Sequence, residues 1–570
     1  MKPKDRVMML STGPSQLISA ICDEIGFEDL LNEQIEWDES RCKLSPGARL
    51  KALVINILSD REPLYHVEQY FEEQDVEMLF GSDVEASHIN EYALGRALDA
   101  LYEVNPWKVY STLAISACHQ LGLPLGRLHN DTTSYSLYGE YNTKEKVPKS
   151  EEAAEDLEIT HGFSKQHRPD LKQIVLGMSV TPERIPILAT VENGNTDDKT
   201  WNFTFIQKLR NLLSEEEWGQ LIYQADSALI TLDNLREIRG NLHFISRLPE
   251  TFSLSSELKE KAWKKDRWEE IGQIKPQKKA ASYKLQSFTE KLDGFMYRFV
   301  VVYSDKLNEQ KEKTFLRKLG KERIKLEKAI DTFESTVYHC ESDAKEALEK
   351  FEKENASHYF QYSFKMEPEE QTEKRKKRGR PKKNEVPNVI TVYRPHLQCL
   401  EEIEEAVEEK KRKLSTFILI TDKCDRQEMT DLEILQTYKG QEAAETRFRV
   451  LKSPQMIDGF FLKKPSRVAA LGIVFVMALL VYGILENRVR EKMKQEEKPL
   501  NLAGNRKLFN PTGQVLLKEL KKIKIIYIQQ NGETLRFLPD NINEECKRIL
   551  ELAGYDMTIY VSKQAENTVV

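Results

Sequence analysis

The chain has 570 residues, 31% of them charged and 40% hydrophobic, with a formal net charge of −7 and a mean hydropathy of −0.56. That length exceeds the usual ~100–150 residues of one domain, so a single compact core is excluded, and the composition excludes a membrane-embedded or wholly disordered chain. With a pI near 6.0 the protein carries no overall basic footprint for nucleic acid, so any such footprint has to be local.

Residues 1–120 read as an all-α N-terminal domain. Ser45-Pro46-Gly47 leads into ARLKALVINIL, placing a capping serine and an early proline ahead of an apolar-periodic run. The first residues, MKPKDRVMML, hold no apolar run of secretory length. From 121 to 255 the pattern changes to short β-like runs: LGRLHNDTTSYSLYG, KQIVLGMSV, IPILATVE, LIYQADSAL and NLHFISRL. An amphipathic helix near 203–213 falls between the third and fourth, an order that predicts a mixed α/β sheet.

Residues 256–414 read as a mixed helical/β insertion. Leu316, Leu319, Arg323, Leu326, Ile330, Phe333, Val337, Cys340, Ala344, Ala347 and Phe351 alternate three and four apart, a heptad seam on one charged helix broken only by Arg323. A second charged helix near 400–414 is placed to fold back on it. Between them lies the basic run KRKKRGRPKK, residues 374–383, in which Arg378-Gly379-Arg380-Pro381 resembles an AT-hook core. Arginines flanking a glycine suit the narrow minor groove of A/T-rich DNA. FMYRFVVVYS and NVITVYR look like strands, and TFILITD looks like a buried strand returning to the main sheet.

Residues 415–495 then complete the α/β domain, and 496–570 have no readable role. The run VAALGIVFVMALLVYGIL, 468–485, approaches the length of a membrane span. Because it follows the helix that carries Glu445, the expectation is a buried core helix and no membrane contact. The seven cysteines (Cys22, Cys42, Cys118, Cys340, Cys399, Cys424, Cys546) are scattered without a C-x-x-C pair, which predicts neither a zinc site nor a disulfide framework, and a reducing cytoplasm.

The chemistry concentrates in acidic residues. Asp131, in Asp131-Thr132-Thr133, follows a β-like approach, and Asp226 ends LIYQAD. Carboxylates at the ends of two strands suit hard divalent cations, and such ions suit phosphodiester chemistry. Taken alone, an aspartate at a strand end is more often a turn former or helix cap. In the helix-like DLEILQTYKGQEAAETRFRVLKS, Tyr438, Gln441, Glu445 and Lys452 fall at roughly 0°, 300°, 340° and 320° on one helical face. Periodicity alone favours an ordinary amphipathic helix with solvated charges. Glu442, at roughly 40° on that face, is the weaker candidate for a third carboxylate.

That spacing resembles the Tyr-x2-Arg-x3-Glu-x6-Lys signature of a group of bacterial insertion-sequence transposases with a DDE triad on an RNase H-like fold. Further similarity lies in Asp131-x-Thr133-x5-Gly139, a first-aspartate motif. It extends to His161-Gly162-Phe163-Ser164-Lys165 with Arg168-Pro169-Asp170-Leu171-Lys172-Gln173, a second-strand stretch, and to Gly194-Asn195-Thr196-Asp197-Asp198, the loop after the third strand. The resemblance covers about 125–485 and implies Asp131, Asp226 and Glu445 as catalytic metal ligands, with Tyr438 and Lys452 contacting a DNA end. Gln441 stands where the signature has Arg, which removes a bidentate phosphate clamp.

The resemblance further implies two Mg²⁺ or Mn²⁺ ions, terminal inverted repeats and target DNA as partners, a homodimer on two DNA ends, and the bacterial nucleoid as location. It places an insertion between Asp226 and Glu445, and assigns DNA-end binding to residues 1–120 by position alone. A nuclease without strand transfer, and a catalytically dead DNA-binding assembly protein, stay open.

Overall fold

A computed structural model describes residues 6–40, 42–141, 156–274, 280–373, 388–453, 456, 460, 462–502, 504, 506–530 and 533–562. The chain folds as two units, Met1–Ser246 with Leu435–Val570, and Arg247–Ile434. The Arg378-Gly379-Arg380-Pro381 motif lies outside the described residues.

The first unit is a mixed α/β structure. Its main strands are Arg127–Leu137, Lys172–Val180, Pro186–Glu192, Ile222–Gln224 and His243–Arg247, in the spatial order third, second, first, fourth, fifth. The first three pair antiparallel; the fourth and fifth run parallel to the first. All five β-like runs in the sequence therefore become strands of one sheet. Residues Gln173–Val180 are buried without alternation, the pattern of a strand covered on both faces.

Helix Asp198–Arg210 starts earlier than its amphipathic pattern implies, because the Asp197 side chain accepts from the backbone N–H of Lys199 and Thr200, both at 2.9 Å. It can approach the sheet because residue 177 is glycine. A Cβ there would lie 2.0 Å from Nε1 of the buried Trp201.

The expected cap at Ser45 forms: its side chain accepts from Ala48 N–H at 3.0 Å, with Pro46 opening helix Pro46–Leu58. The apolar run lies in helix Pro465–Glu496. By length and composition it could cross a membrane, yet its apolar stretch is fully buried against helices Pro46–Leu58 and Glu91–Glu103 and strand Pro186–Glu192. Residues beyond 496 join the same unit. Strand Ile525–Gln530 sits between Arg6–Leu10 and Glu533–Phe537 in an antiparallel sheet, and the Tyr560 hydroxyl donates to Gly13 O at 2.7 Å.

The second unit holds an antiparallel set in which Phe295–Ser304 lies between Ser282–Leu292 and the buried strand Thr416–Thr421. The continuous heptad helix is corrected: helix Asp305–Glu334 ends, and a separate helix, Glu341–Glu354, begins after Cys340. The seam also shifts, since Phe315 is buried while Leu316 is 45% exposed. Phe315, Leu319, Leu326, Ile330, Phe333 and Phe351 form the core with Val407, which helix Glu404–Ser415 contributes as the folded-back partner. The basic run falls in the chain between strands Phe360–Thr372 and Val389–Glu402, which pair antiparallel as far as Thr372 opposite Val389.

Candidate active site

The site is built on the two central parallel strands of the first unit. His129 pairs with Gln224, and Asp131 and Asp226 each lie two residues further on, so the strand register brings both carboxylates to one level. Their local settings differ from a shared strand-end placement. Asp131 lies within its strand, opposite Met178, whereas Asp226 lies beyond the end of strand Ile222–Gln224. There Asp226 caps the 3-10 turn Ser227–Leu229, accepting from Ala228 N–H at 2.9 Å.

Burial pushes the Asp131 carboxyl up to about 6; Lys165 and the Thr132 N–H, which donates to Asp131 Oδ1 at 2.8 Å, pull the other way, while Asp226 and Asp198 add to the rise. The Asp226 carboxyl is also raised, by burial first, with Asp198 adding to the rise and the Ala228 N–H and Lys165 opposing it. Both carboxylates are held in a half-enclosed acidic field in which the charged form is costly. That field is what a hard cation with oxygen affinity relieves, so the donor chemistry of Asp131 and Asp226 fits Mg²⁺ or Mn²⁺.

Four further side chains join them. Lys165 Nζ donates to Thr132 O at 3.0 Å and to Thr132 Oγ1 at 2.9 Å, and lies 3.3 Å from Asp198 Oδ2. Thr132 Oγ1 in turn donates to Asp198 Oδ1. Lys452 is lowered to about 8 by burial and by Lys165, with Asp131 acting in the opposite sense. Sequence reasoning had assigned no role to Lys165, Thr132 or Asp198, although Lys165 and Asp198 stand in motifs quoted for the resemblance. His161–Leu171, expected with the second strand, is a connecting segment; the strand begins at Lys172. Lys165 N–H donates to Ser134 Oγ and Gln166 Oε1 accepts from Ser136 N–H, both at 2.9 Å, which fixes this segment along the first strand.

The single helical face expected for Tyr438, Gln441, Glu445 and Lys452 is interrupted. Helix Asp431–Lys439 ends and helix Glu442–Leu451 begins across Gly440-Gln441, where Gln441 N–H and Ala443 N–H bond three residues back. A constant ~100° per residue therefore does not carry across this joint. Gly440 is required there, since a Cβ would lie 2.7 Å from His129 Cε1.

Gln441 forms the N-cap position, and its Oε1 accepts from Gln224 Nε2 at 3.4 Å, while the same Nε2 donates to Tyr438 O at 2.7 Å. Tyr438 is half-buried and Lys452 terminates the second helix. Glu445, in the first turn of that helix, is exposed, as is Glu442. Among the described residues no three His, Cys, Asp or Glu side chains are gathered as a ready metal site. The structure thus sets Asp131 level with Asp226, puts Lys452 within the field of Asp131, and leaves Glu445 open to solvent.

Residues 12–115 match a family model described as "Domain of unknown function (DUF4277)". No curated protein sequence matches the chain. Among solved structures the chain is similar to one described as "Cryo-EM structure of piggyBac transposase synaptic complex with hairpin DNA (SNHP)". The identity is 9%, the TM-score is 0.34, and the alignment covers 89% of this chain and 79% of that one. At that level of likeness the function of this chain has to stand on its own residues.

Proposed function

We propose that the protein is a DNA transposase with an RNase H-like catalytic domain, and that Asp131, Asp226 and Glu445 are its catalytic carboxylates. The observation that carries this reading is the level placement of Asp131 and Asp226 on adjacent parallel strands, both buried enough to raise their carboxyl pKa. The strand order, with three antiparallel strands followed by two parallel to the first, supports it, as does the spacing of Tyr438, Glu445 and Lys452 in the sequence.

In this reading Asp131 and Asp226 would hold two Mg²⁺ or Mn²⁺ ions, which would supply activation of a water or 3′-hydroxyl and stabilisation of the leaving oxygen of a phosphodiester. Glu445 supplies the third carboxylate from a helix whose first turn exposes Glu442 and Glu445 and buries Ala443 and Ala444. Lys452 and Tyr438 contact the DNA backbone, Lys452 as a charge within the field of Asp131. The basic run 374–383, with Arg378, Gly379, Arg380 and Pro381, adds salt-dependent, sequence-independent affinity. The substrates are the terminal inverted repeats of the element that encodes the protein and a target DNA, handled by a homodimer at the bacterial nucleoid.

The test is joining: incubate the protein with Mg²⁺, a fragment carrying the element's ends and a plasmid target, then sequence the products. Covalent end-to-target junctions support a transposase; cleavage without junctions supports a nuclease. A second reading, a DNA-binding protein with an inactive centre, is favoured by the exposure of Glu445 and by the commitment of Gln441 to Gln224. It requires that the ends are bound and never cut.

A further inference from the structure

We propose that Lys165 is the resident counter-cation of the Asp131–Asp226 site, so that a divalent cation and the Lys165 ammonium compete for the same carboxylate field until an anionic phosphodiester arrives. The inference rests on the reading of Asp131 and Asp226 as metal ligands.

The geometry is a closed set of contacts around Thr132. Lys165 Nζ reaches Thr132 O at 3.0 Å, Thr132 Oγ1 at 2.9 Å and Asp198 Oδ2 at 3.3 Å, and the buried Thr132 hydroxyl donates to Asp198. Thr132 also presents its own N–H to Asp131 Oδ1 at 2.8 Å. One residue therefore ties the ammonium, Asp198 and the Asp131 carboxylate together. The lysine is not free to drift, because its backbone N–H is held by Ser134 Oγ at 2.9 Å and its neighbour Gln166 by Ser136 at 2.9 Å. Asp198 is fixed at the start of helix Asp198–Arg210, whose seat on the strand depends on Gly177, the residue paired with Thr132.

The charge balance follows. Asp131, Asp198 and Asp226 carry three negative charges against the two positive charges of Lys165 and Lys452, both of which act on Asp131 or on each other. Without substrate the field is nearly neutral, and a dication entering it meets the Lys165 ammonium, held 3.3 Å from Asp198, and the charge of Lys452. With a phosphodiester present, the phosphate oxygens supply the missing negative charge and offer Lys165 an alternative partner. Metal and DNA affinities are then coupled, and by linkage each raises the other by the same factor. Lys165 is a positioning residue in the free protein and a phosphate contact in the complex.

Mn²⁺ binding is counted by electron paramagnetic resonance on wild type, Lys165→Gln and Lys165→Arg, each with and without a DNA duplex carrying the element's ends. The inference expects Lys165→Gln to bind Mn²⁺ at least about tenfold more tightly than wild type without DNA, with the gap closing when duplex is added. Lys165→Arg, which keeps the charge, behaves as wild type. A purely structural lysine predicts the opposite, weaker Mn²⁺ binding by Lys165→Gln in both conditions, and that result overturns the inference while leaving the metal site standing. If wild type binds no Mn²⁺ in either condition, or Asp131→Asn leaves its binding unchanged, the reading of the site falls and the inference with it.

Discussion

Arg447 Nη1 donates to Glu486 at 3.0 Å, and both side chains are buried inside the first unit. The pair joins the helix that carries Glu445 to the apolar helix Pro465–Glu496, and Arg447 Nε is further held by Arg184 O. Arg184 Nη1 and Arg490 Nη1 also approach Glu486, so its single negative charge is shared among three guanidiniums.

Removing Glu486 leaves the Arg447 guanidinium buried without a carboxylate, whereas Glu486 keeps Arg184 and Arg490 when Arg447 is removed. Glu486→Leu is therefore expected to destabilise the protein by ~3–5 kcal/mol, read from the denaturant midpoint. Glu486→Leu with Arg447→Met should be less harmful than Glu486→Leu alone, because no buried guanidinium is then left at position 447.

Stability should depend on pH through Asp131. Its carboxyl is raised in the folded protein, to about 6 from the usual 3.8, so between those values the native state binds more protons than the unfolded one. Stability from this group therefore falls as pH rises through that window and stays low above it. Asp131→Asn keeps the Oδ1 that accepts the Thr132 N–H and removes the charge. The variant is expected to be more stable than wild type by about 2 kcal/mol at pH 8, after allowance for partial exposure, with no gain near pH 3.5. Thermal melts at the two pH values check this, and in the proposed reading the same variant has no cleavage activity.

Gly177→Ala places a methyl group where the Trp201 indole lies. Trp201 Nε1 donates to Thr190 Oγ1 at 3.1 Å, so the ring cannot slide without breaking that bond. The expected cost is ~1–3 kcal/mol, with a shift in tryptophan emission. Because the helix displaced by that methyl group carries Asp198, Mn²⁺ affinity should change as well, a link that calorimetry of wild type and Gly177→Ala would measure.

Lys452, lowered to about 8, is charged at neutral pH and loses its proton as pH rises past that value in the free protein. Lys452→Met is expected to weaken DNA binding and to reduce the slope of log affinity against log salt by about 1. Fluorescence anisotropy across a salt series reads both quantities, and wild-type affinity should decline above pH 8.

Much of the sheet was legible because its signal is local. Gln173–Val180 and Pro186–Glu192 are apolar runs with turn residues between them, and such runs become strands wherever helices cover the sheet. The helix boundaries were less legible, since Ser335–Cys340 and Gly440-Gln441 interrupt patterns that continue in the sequence across both breaks. At the second break the His129 ring, far away in sequence, leaves room only for a glycine at position 440. Within the candidate site, the β-like approaches to Asp131 and Asp226 were readable, though not that Asp131 lies inside its strand while Asp226 lies beyond the end of its own. Lys165, Thr132 and Asp198 were not, because their meeting is set by Gly177 opposite Thr132 and by a connecting segment stitched to the first strand. No spacing rule encodes that meeting.

The most direct measurement is Mg²⁺-dependent scission of a labelled DNA fragment carrying the element's ends, comparing wild type with Asp226→Ala and Glu445→Gln after matched melts have shown all three folded. The account predicts cleavage by wild type and a loss of at least about a thousandfold in each variant. Cleavage that survives Asp226→Ala, or a folded wild type that binds the ends and never cuts them, would contradict it.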